Sequence, residues 1–326
     1  MPVVPPPTSD PTWKQAWDEA LYGARGFFRR ESPAAHFRTS AHASSLFAGA
    51  LVRMTREAGL DTVVDIGAGR GELLTVMHEL DPGLDLLGVE ISTRPPGLPE
   101  AVAWTTALPE SVEGLVVANE WLDNIPCHVV EVDQRGVTRV VHVDPATGRE
   151  SLGAPVTDRS VPASLGQWLA RWWPLEPVAG LRAEVGTTRD AAWADVVRRV
   201  HRGVAVAVDY GHVRGARPPL GSLRSYLRGR EVDVVPDGSR DVTAHVAVDA
   251  VASSVGAVVR RQRDVLRELG VDGRRPAPAA ATRPGAYLAA LADAGQAAEL
   301  TAEGGLGDFS WVVAHAPTGR GPVPRP

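Results

Sequence analysis

Residues 62 to 74 read TVVDIGAGRGELL, where an apolar run meets Asp65 and then three glycines spaced by two, Gly67, Gly69 and Gly71. Glycine lets a chain turn at positive φ and lets a ligand come close to the backbone. The run before the glycines reads as a buried strand and GELLTVMHEL after them as a helix, so free amides at the helix start should face a ligand. A dinucleotide fingerprint is G-x-G-x-x-G. Here the third glycine comes one residue early, and Glu72 fills the expected place. The spacing Asp-x-Gly-x-Gly-x-Gly fits S-adenosyl-L-methionine better. That cofactor has no pyrophosphate to cradle, but it carries an ammonium and a positive sulfonium, and Asp65 can hold the ammonium directly or through water. Glu90 ends the next strand, 19 residues after Gly71. An acid about 20 residues beyond the glycines can accept hydrogen bonds from both ribose hydroxyls.

A second group lies in VVANEWLDNIP. Val116 and Val117 continue a buried strand, and Asn119 and Glu120 stand at its carboxyl end, where open α/β sheets hold their ligands. Asn119 is placed with the cofactor ligands. Glu120 and Asp123 are three apart and would share a face in one helical turn. Two carboxylates beside a sulfonium could orient a cationic acceptor or take its proton. The plainer reading makes Glu120 a solvated strand end, Asp123 a helix cap and Pro126 a stop. Asp209, Tyr210 and His212, in AVDYGH, end another core strand and should line the same crevice, though Tyr210 could simply pack. Thr243 and His245 read as a helix start, with Thr243 the N-cap.

The elements that must position these groups alternate. TVVDI, LDLLGVEI, AVAWTT, GLVVANE and GVAVAVDYG are apolar runs rich in β-formers, and helical patterns separate some of them. That texture predicts an α/β fold: a mostly parallel sheet with helices on both faces. HVVEVD and VTRVVHVD, joined by QRG, read as a hairpin. Trp13 to Leu21 and Ser45 to Leu60 read as N-terminal helices. The stretch from Pro145 to Pro162 reads as loop, SLGQWLARWWPL as a helix with core tryptophans, and residues 212 to 243 as an excursion. The domain reading is a tail over 1–12, a helical segment over 13–60, a core of 61–144 with 201–316, an inserted helical region over 145–200 and a loose tail over 317–326.

Composition narrows the classes. The chain has 326 residues, 44% hydrophobic and 22% charged, with net charge −5. No long tract has one sign, so no nucleic-acid footprint stands out. No apolar stretch is long enough to cross a bilayer, and the N-terminus lacks the regions of an export signal, so no membrane partner is expected. The single cysteine, Cys127, excludes an internal disulfide and fits a reducing cytoplasm. The nine histidines include no His-Glu-x-x-His or Cys-paired spacing, so no metal is expected. Arg260 to Arg267 reads as a solvated face.

In order along the chain, DIGAGRGEL, NEWLDNIP, AVDYGH, GSLRSY, DVTAHV and LGDFSW resemble the MidA-like family, and ALYGARGFF and HFRTSAHASSLFAGAL add to the likeness. The resemblance spans roughly residues 18 to 314 and implies a Rossmann-like class I S-adenosyl-L-methionine-dependent methyltransferase. Mitochondrial relatives act on a complex I subunit as protein arginine methyltransferases, which implies a protein acceptor and a monomer or homodimer. It also implies that Thr39, in the N-terminal segment, helps bind the cofactor. Two departures bear on the acceptor. The family's loop usually opens with glutamate, here Asp65, and its segment Gly-Asp-Phe-x-Thr-(Ser/Ala)-Pro-Glu stands here as AHFRTSAH, residues 35 to 42. Transfer to a small molecule and a non-catalytic assembly role are the alternatives, with a nicotinamide dehydrogenase further off.

Overall fold

Apolar runs that do not alternate need cover on both faces, and the runs around the glycine motif find it in a central sheet. The computed structural model describes residues 10–30, 45–273 and 284–316. Its strands, in chain order, are β1 (Thr62–Ile66), β2 (Asp85–Val89), β3 (Val102–Thr105), β4 (Val112–Asn119), β5 (His128–Val132), β6 (Thr138–Val143), β7 (Glu150–Pro155) and β8 (Arg182–Val185). After these come β9 (Val200–Asp209), β10 (Gly211–His212), β11 (Arg224–Leu227), β12 (Arg230–Val232), β13 (Asp241–Thr243), β14 (Val246–Ala247), β15 (Val258–Arg261) and β16 (Ser310–His315). The chain divides into two compact units. One, the sheet unit, comprises Arg38–Trp121, Asp195–Tyr210 and Val255–Pro326; the other comprises Met1–Phe37, Leu122–Ala194 and Gly211–Ser254.

In the sheet unit seven strands run in the order β15-β16-β9-β4-β1-β2-β3. β1, β2, β3, β4 and β9 pair in parallel, and β16 runs antiparallel between β9 and β15. From β1 the order runs outward through β2 and β3 on one side and through β4 and β9 on the other. The switch point, where such sheets bind ligands, therefore lies at the carboxyl ends of β1 and β4. One core joins Val63 of β1, Leu86 of β2 and Leu115 and Val117 of β4 to Leu73, Leu74 and Met77 of the helix Glu72–Leu80. The helix Ser45–Glu57 adds Phe47, whose ring meets Trp311 edge-on at 5.8 Å. This is the doubly wound, mostly parallel sheet expected of the sequence.

The second unit holds a four-stranded antiparallel sheet, β7-β6-β5-β8, a three-stranded one, β12-β11-β13, and the short parallel pair β10-β14. The helix Trp13–Tyr22 starts with a capping box between Thr12 and Gln15. It buries Trp13, Trp17 and Leu21 against Val129, Val141 and Val242. Trp168 and Trp173 are core residues against Val130, Val140 and Val185, as the helical spacing predicts.

Three expectations change here. The stretch read as loop between Pro145 and Pro162 contains β7, because it completes the antiparallel ladder on β6. The excursion over 212–243 is a small sheet with Ser225, Val242 and Thr243 buried. Thr243 caps no helix: it lies in β13, and its hydroxyl donates to Asp123 Oδ2 at 2.7 Å. The helix begins later, at Val248. The two units also cut the chain differently from the boundaries read off the sequence, since the β5–β6 hairpin and residues 211 to 254 belong to the second unit. Among the described residues no helix is long and apolar enough to cross a membrane. The proline-rich start and the tail beyond residue 316 lie outside the described residues.

Arg189 organises the second unit's interior. It is 2% exposed, and its guanidinium donates to the carbonyls of Asp123 at 2.6 Å, His245 at 2.9 Å and Ile125 at 3.2 Å. An unpartnered buried carbonyl costs about 1–3 kcal/mol. Arg189→Met should therefore lower the unfolding free energy by about 3 kcal/mol or more in a urea titration. Arg198→Met, which loses only an exposed pair with Asp195, should change it by less than about 0.5 kcal/mol.

Candidate active site

The glycine loop leaves the carboxyl end of β1 and enters the helix Glu72–Leu80. Gly67, Gly69 and Gly71 have φ of 72°, 59° and 76°, the left-handed region that disfavours side chains. A Cβ on Gly67 would lie 2.8 Å from Trp121 Cδ1, and one on Gly71 would lie 2.5 Å from Leu98 Cδ1. A Cβ on Gly69 would meet nothing nearer than Glu72 Oε2 at 3.6 Å, so the backbone stands open there.

The amides of this loop are not free, contrary to expectation. Gly67 N and Ala68 N donate to the Val89 carbonyl, at 2.9 and 3.3 Å. Gly69 N donates to Glu90 Oε2 at 3.1 Å and Arg70 N to Glu72 Oε2 at 3.0 Å. A pyrophosphate would need those donors and would face two carboxylates instead. The loop therefore disfavours the anionic cofactor of a dehydrogenase and favours a cationic one. Glu90 Oε1 also accepts from Ile91 N at 2.7 Å and Ser92 N at 3.4 Å. Three amides occupy Glu90, leaving about one of its roughly four lone-pair sites for a ribose hydroxyl.

Asp65 lies under this loop, 4% exposed. Burial, then Glu90, then Glu72, push its carboxyl up to about 8. Burial also raises Glu90, and its three amide donors partly offset that. An acid held neutral by burial and two neighbouring carboxylates ionises readily once a cation arrives. The ammonium and sulfonium of S-adenosyl-L-methionine fit this set of donors and charges. Asp65, the open backbone at Gly69 and Glu90 are the groups that would hold it.

The carboxyl end of β4 adjoins that loop, because Val117 of β4 pairs with Asp65 of β1. Two residues further on, Asn119 Nδ2 donates to Glu120 Oε1 at 3.3 Å. A carboxylate only accepts, so Asn119 Oδ1 must face the other way, and it is a buried acceptor with no hydrogen-bond partner among the described residues. Glu120 holds φ of 51°, one of two non-glycine residues in the left-handed region among those described, while its amide still donates to the Val208 carbonyl at 2.8 Å. Strain of this kind costs about 1–3 kcal/mol and concentrates at functional sites. Tyr210 follows β9 in the same unit and packs on Phe309, with ring centroids 5.6 Å apart. Asp209 is the last residue of β9 and is 2% exposed.

Two expected partners sit in the second unit. The chain after Glu120 forms no helical turn, so Glu120 and Asp123 share no helix face. Asp123 is 4% exposed and belongs with Asp241, whose carboxyl is pushed up to about 8 by burial and then by Asp123. His212, expected beside Asp209 and Tyr210, has its Nδ1 2.7 Å from Arg217 Nη1. A guanidinium only donates, so Nδ1 accepts and Nε2 carries the proton. Burial, then Arg217, push this histidine down to about 3, so it is neutral and its Nδ1 is unavailable as a base. Thr39, with the whole altered segment from Ala35 to His42, lies outside the described residues.

Sequence reasoning missed Trp121, Glu72 and Asp241. Trp121 stood inside the NEWLDNIP motif but was not weighed alone, and its contact with Gly67 spans 54 residues of chain. Glu72 was noticed only as a residue where a glycine was expected. Asp241 carried no local signal, since its pairing with Asp123 depends on tertiary structure.

The comparisons agree with this geometry. The model of the family Methyltransf_28, described as "Putative S-adenosyl-L-methionine-dependent methyltransferase", matches residues 85–265. A COG1565 superfamily protein from Burkholderia thailandensis, solved with S-adenosyl-homocysteine bound, is 26% identical, with a TM-score of 0.71 over 93% of this chain and 87% of that one. A native structure of a COG1565 superfamily protein from the same organism gives a TM-score of 0.73 at 26% identity and the same coverage. A search among curated proteins gave no match. With more than half of its length matched and its fold shared with these structures, the chain belongs to this family of S-adenosyl-L-methionine-dependent methyltransferases.

Proposed function

We propose that the chain methylates a cationic nitrogen of a protein side chain, arginine in the reading that its MidA-like motifs support. The observation that carries this is the carboxyl end of β4. There the acceptors Asn119 Oδ1, which is buried without a hydrogen-bond partner among the described residues, and the Glu120 carboxylate stand side by side. A guanidinium is the complement: it has five N–H donors, no acceptor, and a charge it keeps at any physiological pH.

The bound donor supplies a methyl group on a positively charged sulfur, which leaves as a neutral thioether. Asp65 and Glu90 fix the position of that donor, and the glycine loop gives it close backbone contact. Asn119 Oδ1 and Glu120 orient the acceptor N–H groups, so that one nitrogen faces the methyl and its lone pair is localised there. Alignment of this kind accounts for much of a displacement's rate. Glu120 also stabilises the charge on the nitrogen as it becomes bonded to carbon, and would take the proton that nitrogen gives up, so that the methylated group keeps a single positive charge.

Tritiated S-adenosyl-L-methionine incubated with the protein and a cell lysate tests the acceptor. Label should enter the protein fraction and appear as methylarginine after hydrolysis. Label confined to small molecules would refute the protein acceptor, and label on other residues would refute arginine. Glu120→Gln should cut kcat by about 100-fold or more while leaving the dissociation constant of S-adenosyl-homocysteine within about threefold, since one positioned electrostatic group is worth about that much.

The raised Asp65 predicts a pH profile for cofactor binding. Below pH 8 the free protein holds the Asp65 proton, and pairing with the ligand ammonium must release it. Above pH 8 the ligand amine, with a pKa near 7.7–8.0, loses its own charge. Affinity for S-adenosyl-homocysteine should peak near pH 8 and fall by up to about tenfold per unit on the acid side. Calorimetry at pH 7 in two buffers should show close to one proton released. Asp65→Asn should weaken binding at pH 8 by about 10-fold or more and abolish the acid limb. The same residue affects stability. A folded pKa above the unfolded value means that the ligand-free protein loses stability as pH rises from about 4 to about 8. Asp65→Asn should therefore melt higher than the parent at pH 8, and the two should converge near pH 4.

A further inference from the structure

Trp121 follows the strained Glu120 and lies over the first glycine of the loop. A Cβ on Gly67 would stand 2.8, 3.4 and 3.6 Å from Trp121 Cδ1, Cγ and Cβ. The ring is half-buried. Three other tryptophans carry an arginine over the ring: Trp172 with Arg171 at 4.7 Å, Trp173 with Arg217 at 5.6 Å and Trp17 with Arg189 at 5.7 Å. No cation covers Trp121 among the described residues. Two indoles thus meet the glycine loop: Trp104, which stands 3.4 Å from the Cβ position of Gly71 and is tied by its N–H to the Ser92 carbonyl, and Trp121, which stands at Gly67 beside a site that already holds Asp65, Glu72 and Glu90.

We propose that Trp121 reads the charge on the donor sulfur, so that the site holds S-adenosyl-L-methionine more tightly than the neutral S-adenosyl-homocysteine it becomes. This rests on the placement of the donor at the glycine loop. An indole face attracts a cation through its quadrupole, tryptophan being the best of the aromatic side chains, and does little for a neutral thioether. The three carboxylates supply long-range attraction for any cation, whereas the ring acts only at contact. Binding energy that disappears when the sulfur loses its charge would speed product release. It would also limit inhibition by the product, at no cost to capture of the donor.

Calorimetry with both ligands tests this, using the parent protein, Trp121→Leu and Trp121→Phe at one pH and ionic strength. The parent should prefer S-adenosyl-L-methionine over S-adenosyl-homocysteine by about 2- to 30-fold, the range that a cation on an aromatic face provides. Trp121→Leu should lower that preference severalfold, mainly by weakening S-adenosyl-L-methionine, and leave only the part that the acidic groups supply. Trp121→Phe, which keeps a face, should retain part of the preference. Thermal melts of the three proteins show whether each is folded. Equal weakening of both ligands in Trp121→Leu, or no change in either, would overturn the proposal and leave Trp121 as packing. If the parent binds both ligands without preference, the proposal also fails, while the methyltransferase reading stands. If the parent binds neither ligand, that reading fails as well.

Discussion

The Asp65 carboxyl lies almost fully buried near the end of β1, where burial and then Glu90 and Glu72 raise its pKa to about 8. Three acids in so small a volume oppose folding, and the rest of the loop follows from how that opposition is met. Glu90 takes amides from Gly69, Ile91 and Ser92, and Glu72 takes the amide of Arg70. Glu72 also stands at the first turn of its helix, where the helix dipole favours a negative charge. Asp65 has no such amide among the described residues, so it stays neutral until something positive arrives. The glycines are required for the same reason: only a left-handed backbone at Gly67, Gly69 and Gly71 turns those amides toward the carboxylates within so few residues.

The second unit meets a similar problem differently. Its buried ionic groups are satisfied by one another and by the backbone. Arg189 is spent on three carbonyls, and Arg217 bridges His212 and Asp249, the latter at 2.7 Å. Ser222 gives both its amide and its hydroxyl to Glu184. Such networks stabilise only when every member is paired. Asp241 differs in having a like charge beside it, since Asp123 raises the cost of charging it. A protonated Asp241 accommodates the pair in the absence of a cation.

Much of the sheet unit was legible in the sequence because its signals are local. Continuous apolar strands, the glycine spacing and the acid ending β2 all fall within short windows, and each took its expected place. The second unit was less legible. Its strands carry weak local signals: β7 shows no alternation of buried and exposed residues, and β13 is buried but has only three residues. Composition therefore read these stretches as loop. At the site, periodicity suggested one helical turn holding Glu120 and Asp123, but the left-handed Glu120 breaks that turn at its first residue. The fate of the loop amides could not be read either, because it depends on where the ends of Glu72 and Glu90 reach.

That last point constrains the chemistry more tightly than the motif does. A glycine loop at a helix start is, in general, a site for anions, because its amides and the helix dipole both point outward. Here the protein answers its own amides with its own carboxylates, which reverses the sign of the site. What remains unanswered is positive charge at Asp65 and an N–H donor at Asn119 Oδ1. A donor bearing a sulfonium and an ammonium meets the first demand. The strained Glu120 stands beside Asn119 Oδ1, at the carboxyl end of β4 where such sheets bind their ligands.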